Sequence, residues 1–148
     1  MIKKKFLDYY MRVAEETAAL SYARRLQVGC VIVKDNRTLS IGYNGLPAGD
    51  DDTQIEFEYT EDHNGIEIKK LKTNPEVVHA EENAITKVAA SHESTEGATI
   101  FVTAAPCINC AKLILNSKIK DVYYKHNYRD SHGIDFLTKH GVSVIQYK

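Results

Sequence analysis

The sequence predicts an α/β protein: a three-layer α/β/α sandwich around a central five-stranded mixed sheet. Three observations lead there. The chain opens on an amphipathic helical stretch, continuous β-branched runs follow, and from Glu76 onward strand-like and helix-like segments alternate at crossover spacing. At 148 residues the chain reads as one domain, with a long loop insertion at about 44–74.

Residues from about Phe6 to Leu20 place Leu7, Tyr10, Met11, Ala14 and Ala18 on one helical face. Val28-Gly29-Cys30-Val31-Ile32-Val33 is an unbroken apolar run, as in a strand covered on both faces. Asp35-Asn36-Arg37 has turn chemistry and leads to a second strand, roughly Thr38 to Tyr43, so an antiparallel pair is expected. The segment from Asn44 to about Asn74 carries Gly45, Pro47 and Gly49, an acidic run, and alternating Ile55, Phe57 and Tyr59. It reads as a loop with at most one short hairpin, and loops of that length are more often functional than idle. Beyond it, the pattern predicts helices over His79–Ala90, Cys107–Asn116 and Ser131–His140, the last stopped by Gly141. Strands are expected over Ala98–Thr103, Asp121–Lys125 and Val142–Tyr147.

Composition is that of an ordinary water-soluble chain, 43% hydrophobic and 26% charged, with no apolar run of membrane-spanning length or signal-peptide form. Three cysteines, two of them in a CxxC, argue against a secreted disulfide framework and for a cytoplasmic protein. Net charge is −1, with a sequence pI of about 6.6. Dedicated nucleic-acid binders more often have a pI above ~9, so a small anionic metabolite fits better than a polynucleotide.

The chemistry is concentrated in His79-Ala80-Glu81 and Pro106-Cys107-Ile108-Asn109-Cys110. His79, Cys107 and Cys110 are three candidate zinc ligands, and three protein ligands leave the fourth position open for water, as in catalytic rather than structural sites. Both pieces fall where strands hand over to helices. Cysteines three apart at a helix start share a face, the helix dipole favours thiolate, and Pro106 suits the boundary. Zinc so held lowers the pKa of its water toward neutrality. Glu81, not needed as a ligand, can receive the water proton and return it to a departing nitrogen; HxE with PCxxC is the signature of zinc nucleobase deaminases. Taken singly, an HxE means little and a CxxC could be a redox pair or half of a structural site, but a zinc-stabilised binding module leaves Glu81 unexplained. Cys30 reads as a buried small hydrophobe, and His63, His92, His126, His132 and His140 as surface or capping residues.

Around these motifs the sequence resembles the deoxycytidylate (dCMP) deaminase family of the cytidine deaminase superfamily. The resemblance runs through Gln27 to Val33, Gly42-Tyr43-Asn44-Gly45-Leu46-Pro47-Ala48-Gly49, His79 to Ile85, and Cys110-Ala111-Lys112-Leu113-Ile114. It implies the cytidine deaminase-like fold and zinc-dependent hydrolysis of dCMP to dUMP in pyrimidine nucleotide biosynthesis. Allosteric activation by dCTP, inhibition by dTTP with magnesium, and a homohexamer are implied too. By the same resemblance Asn44, Ala80 and Tyr128 contact the substrate, Asn44 and Tyr128 near its sugar, and Tyr43 and Gly45 take part in nucleotide control. Of Arg24, Arg25, Lys125 and Arg129, Arg24 is favoured for the 5′-phosphate. The helix with Ile108, Ala111, Leu113, Ile114 and Leu115 is apolar over more than one face, which suits assembly. Some family members carry extra cysteines and histidines for a second zinc; here only His63 and the run Asp50-Asp51-Asp52 lie in that region, so a second zinc is not expected. That run reads as a solvated acidic turn, with magnesium binding as the alternative. The nearest rival is a tRNA adenosine deaminase, which shares both zinc motifs but has a basic surface and lacks the Tyr-Asn-Gly-x-Pro-x-Gly segment. Free-nucleoside cytidine deaminases generally place cysteine at the position of His79.

Overall fold

A computed structural model of the protein describes residues 2–50 and 53–148. The chain runs α1 (Lys4–Ala18), β1 (Gly29–Lys34), β2 (Arg37–Tyr43), β3 (Glu56–His63), β4 (Ile66–Thr73) and α2 (Ala80–Ala89). It continues through β5 (Thr99–Ala104), α3 (Ile108–Asn116), β6 (Asp121–His126), α4 (His132–Lys139) and β7 (Ser143–Gln146). β1, β2, β5, β6 and β7 form a mixed five-stranded sheet in the order β2-β1-β5-β6-β7. β1 is antiparallel to both neighbours, while β5, β6 and β7 are parallel and joined by the crossovers α3 and α4.

Pleating divides the sheet's residues between two cores. Val31, Val33, Phe101 and Tyr123 face α1 through Tyr10, Met11 and Ala14. Cys30, Ile32, Ile100, Val102 and Val122 face the other way, against Ala80, Ala84 and Val88 of α2, Ala111 and Ile114 of α3, and Leu137 of α4. One helix on one side and three on the other complete the sandwich. Phe101 is fully buried, stacked on Tyr123 at 5.1 Å and 5.4 Å from Tyr10. Phe101→Ala is expected to cost about 3–5 kcal/mol, read as a lower urea midpoint at unchanged slope.

The β1–β2 turn needs the left-handed region at Asp35 and Asn36 (φ 52° and 56°), which Asp and Asn tolerate better than most residues. The segment expected to be mainly loop is different. Residues 56–73 form a hairpin of two eight-residue strands, β3 and β4, in a separate two-stranded sheet. Its turn is Asn64-Gly65, with φ of 56° and 84°, the commonest chemistry of a two-residue hairpin. The alternation of Phe57 and Tyr59 with charged residues is mirrored by Ile66 and Ile68 across that turn.

In α3, Ala111 and Ile114 sit in the core, Leu113 and Leu115 pack partly against it, and the helix lies between α2 and α4. Ile108, Leu113 and Leu115 stay part-exposed. Among the described residues, no helix is long and apolar enough to cross a membrane.

Candidate active site

The strand topology brings the ends of β2, β5 and β6 to one edge of the sheet, beside the start of β1, and both zinc motifs sit just beyond that edge. His79 is the N-cap of α2 and Cys107 the N-cap of α3, both with extended backbone and neither side chain bound to its own helix end. Cys110 follows in the first turn of α3. Their side chains are thus free to converge: His79 Nδ1 lies 3.6 Å from Cys107 Sγ and 3.4 Å from Cys110 Sγ. All three candidate ligand atoms lie within 4.8 Å of one another. Tetrahedral zinc with Zn–S of about 2.3 Å and Zn–N of about 2.0–2.1 Å places N and S about 3.6 Å apart, so the donor set and its spacing fit the ion.

Two close backbone approaches hold this arrangement. A side chain at Gly42 would run into the backbone of Ala80 and Ala84, so glycine lets α2 lie directly on β2. Gly133 does the same for α4 against Pro106 and Cys107. Gly133→Val is expected to push the Cys107 backbone outward and weaken zinc binding by about 10–100-fold, measured by titration against a competing chelator. A third brace is the two-way backbone pairing of Gly45 with Val78, the residue before His79.

Glu81 is 4% exposed on the first turn of α2 and reaches the Cys110 thiol. Burial, against the pull of its hydrogen bonds and His79, pushes its carboxyl up to about 7. Hydrogen bonding with Cys110 holds the Cys107 thiol down to about 3, while the same partner and burial push Cys110 well above the usual thiol range. His79 is raised in turn by its bond to Cys107. A divalent cation would bind both sulfurs as thiolates, displacing their protons.

His79, Cys107 and Glu81 line a pocket of about 620 Å³. Asn44, Ala80 and Tyr128, three of the expected substrate residues, line it as well. Asn44 already has an anchoring task, its amide accepting from Val28 N–H and donating to the Leu26 carbonyl, each at 2.9 Å. Arg24 is not part of the lining: its guanidinium donates to Glu58 on β3. Lys125 is paired with Glu15 of α1. The lining cations are Arg25 and Arg129. Tyr43 lies outside the lining, its carbonyl accepting from the Asn83 side chain. Cys30 is fully buried and donates to the Ala80 carbonyl at 3.2 Å. His63, His92, His126, His132 and His140 are all exposed. Asp51 and Asp52 lie outside the described residues.

Glu56 is a buried acidic lining residue that sequence reasoning did not single out. Only 6% exposed at the root of β3, it accepts the backbone N–H groups of Arg24 and Arg25 at 2.8–3.0 Å and lies 3.8 Å from the Arg25 guanidinium. Its alternation with Phe57 marks a strand, but no local pattern announces a partner some thirty residues earlier.

A His-Cys-Cys cluster with a buried carboxylate at the helix-bearing edge of an α/β/α sheet defines the class as zinc-site deaminases. The profile of the cytidine and deoxycytidylate deaminase zinc-binding region matches residues 4–126, and the chain belongs to that family. A deoxycytidylate deaminase from Pongo abelii is 37% identical over 127 residues, which span 84% of this chain and 67% of that protein. A Caenorhabditis elegans protein named as a probable deoxycytidylate deaminase is also 37% identical, over 80% of this chain but only 56% of its own length. Among solved structures, the dCMP deaminase of cyanophage S-TIM5 in complex with dCMP and dUMP superposes with a TM-score of 0.86 at 37% identity, covering 99% of this chain and all of that one. A tRNA:A34 deaminase superposes at 0.62 with 21% identity, a likeness of fold alone.

Proposed function

We propose that this chain hydrolyses dCMP to dUMP and ammonia with one zinc ion held by His79, Cys107 and Cys110. The observation that carries the reading is the buried Glu81 carboxylate beside those three side chains on the wall of a nucleotide-sized pocket. The cyanophage relative that binds dCMP and dUMP supports the choice of substrate.

Zinc, when bound, supplies a water acidified toward neutrality. Glu81 takes the first proton that water gives up and passes it to N3 of the ring, then takes the second from the oxygen now on C4 and delivers it to the exocyclic nitrogen. C4 gains the water oxygen as the C–N bond breaks, and ammonia leaves. Burial keeps bulk water away from Glu81 and holds it against the reacting edge of the base. Asn44, Ala80 and Tyr128 provide the surrounding wall, Tyr128 packing against the deoxyribose. The 5′-phosphate is assigned to Arg129, which lies over the Tyr128 ring at 5.4 Å, in place of Arg24.

The reading extends to a homohexamer in the cytoplasm, activated by dCTP and inhibited by dTTP with magnesium. What supports a regulatory part for Tyr43 and Gly45 is the Gly45–Val78 pairing, through which a shift of the glycine segment would reach His79. Ammonia release from dCMP by zinc-loaded protein tests the whole, beside CMP, deoxycytidine and a tRNA anticodon stem, with and without dCTP and magnesium. Turnover confined to dCMP is the expected result; turnover of the RNA stem alone would overturn the substrate assignment.

A further inference from the structure

Residues 19–28, between α1 and β1, belong to no helix or strand, yet Ala23, Arg25, Leu26 and Val28 from this stretch line the pocket. A wall without a backbone ladder of its own has to be fixed by side chains from elsewhere. Asn44 fixes its β1 end through Val28 and Leu26, and Ser21 Oγ, donating to the Asn44 carbonyl at 2.7 Å, fixes its α1 end. Between them lies the bend at Arg24 and Arg25, and Glu56 holds it. The Arg24 N–H lies 2.9 and 3.0 Å from the two carboxylate oxygens, and the Arg25 N–H donates to one of them at 2.8 Å.

A buried carboxylate is a costly way to satisfy two N–H groups, and the Glu56 side chain is only 3% exposed. A backbone carbonyl or side-chain amide could accept from the same donors without the charge. Arg25 gives the charge a reason. Its guanidinium lies 3.8 Å from Glu56 and donates to the Leu71 carbonyl at 2.9 Å and to Thr73 Oγ1 at 2.5 Å. Thr73 is the register partner of Glu56 across the hairpin. The root of the hairpin therefore grips Arg25 by backbone and side chain together. That root is itself tied down: the Asn74 N–H donates to the Ile55 carbonyl at 2.7 Å, and the Asn74 side chain, donating to the Gln54 carbonyl, accepts from the Glu76 N–H.

We propose that Glu56 is a positioning residue for the nucleotide: by holding the 24–25 bend and the Arg25 side chain as one unit, it keeps a cation at the pocket wall for the anionic end of the substrate. The inference rests on the dCMP reading above and adds to it a residue that acts only through another. Its hydrogen bonds go to the bend rather than to the ligand triad or Glu81, so its removal falls on binding and not on the ring chemistry.

Glu56→Gln, Arg25→Gln and the double variant, assayed with dCMP, form a cycle that tests this. Glu56→Gln is expected to raise KM about 10–100-fold, with kcat within about twofold of the unaltered protein and zinc content intact. Arg25→Gln should raise KM likewise. The double variant should be no worse than Arg25→Gln alone, because Glu56 then has nothing left to position. An unchanged KM in Glu56→Gln, a loss carried by kcat, or effects that add in the double variant each overturn the proposal, since a residue that only supports the fold acts without Arg25. If Glu56→Gln loses its helical circular dichroism, Glu56→Asp, which keeps the charge but falls short of the bend, takes its place in the cycle under the same criteria. Failure of the unaltered protein to turn over dCMP removes the substrate reading and this proposal with it; turnover by the unaltered protein with additive variants removes this proposal alone.

Discussion

Glu81→Gln is expected to lower dCMP turnover by at least about 10²–10⁴-fold while the protein keeps its zinc. Glutamine fills the same buried space, and Glu81 is not one of the three metal-binding side chains, so the donor set is kept. What it cannot do is take a proton from water and give it back. Side-chain amides do not change protonation state near neutral pH, and the other described carboxylates of the pocket lining are engaged elsewhere, Glu56 with the Arg24 and Arg25 backbone and Asp130 with the His132 backbone N–H. Ammonia release and zinc content measured on the same preparation decide the matter. Residual activity near that of the unaltered protein would remove Glu81 from the chemistry. Loss of zinc along with activity would give it a structural part in the metal site.

The second large effect concerns the metal itself. Cys110→Ala removes one of three donors from a cluster whose atoms are already gathered within 4.8 Å, and the two that remain cannot complete a tetrahedral site. Ligand binding to the folded state alone stabilises it by about 2.7 kcal/mol at a hundredfold excess over Kd. At roughly 2–4 °C per kcal/mol for a chain of about this size, the unaltered protein should gain about 5–11 °C in Tm on adding zinc. Cys110→Ala should show no such gain and no deaminase activity. A zinc-dependent rise that survives in the variant would move the site away from α3. Gly133→Val falls between these cases, since it keeps all three donors and only displaces the backbone that carries one of them.

The metal-site residues were legible because their chemistry is local. His79 with Glu81 two residues on, and Cys107 with Cys110 three residues on, each sit at a helix start where short spacing forces a common direction. The same holds for the β1 run, whose unbroken apolar pattern needed cover on both faces and has it. The 44–74 segment was harder because its hairpin is exposed. Without a buried face, alternation between apolar and charged residues in β3 and β4 is diluted by lysines and glutamates on both sides. Asn64-Gly65 was the usable signal there, a turn that admits positive φ at both positions. For the phosphate-facing cation, sequence could supply four candidates but not choose among them. Arg24 and Arg25 are adjacent, yet the Arg24 guanidinium donates to Glu58 while that of Arg25 donates to the Leu71 carbonyl and Thr73 and lines the pocket, and Glu56, some thirty residues later, accepts both backbone N–H groups.

By itself the sequence determined the order of the elements outside the 44–74 segment, the α/β/α architecture, and the close spacing of His79 with Glu81 and of Cys107 with Cys110. All of these follow from interactions between residues a turn or a strand apart. Only the tertiary structure decided that α3 lies between α2 and α4, that Gly42 and Gly133 permit the backbone contacts bracing the site, and that Arg25 and Arg129 rather than Arg24 line the pocket. Those depend on which segments, far apart in the chain, the sheet order β2-β1-β5-β6-β7 brings to one edge, and no local spacing carries that information.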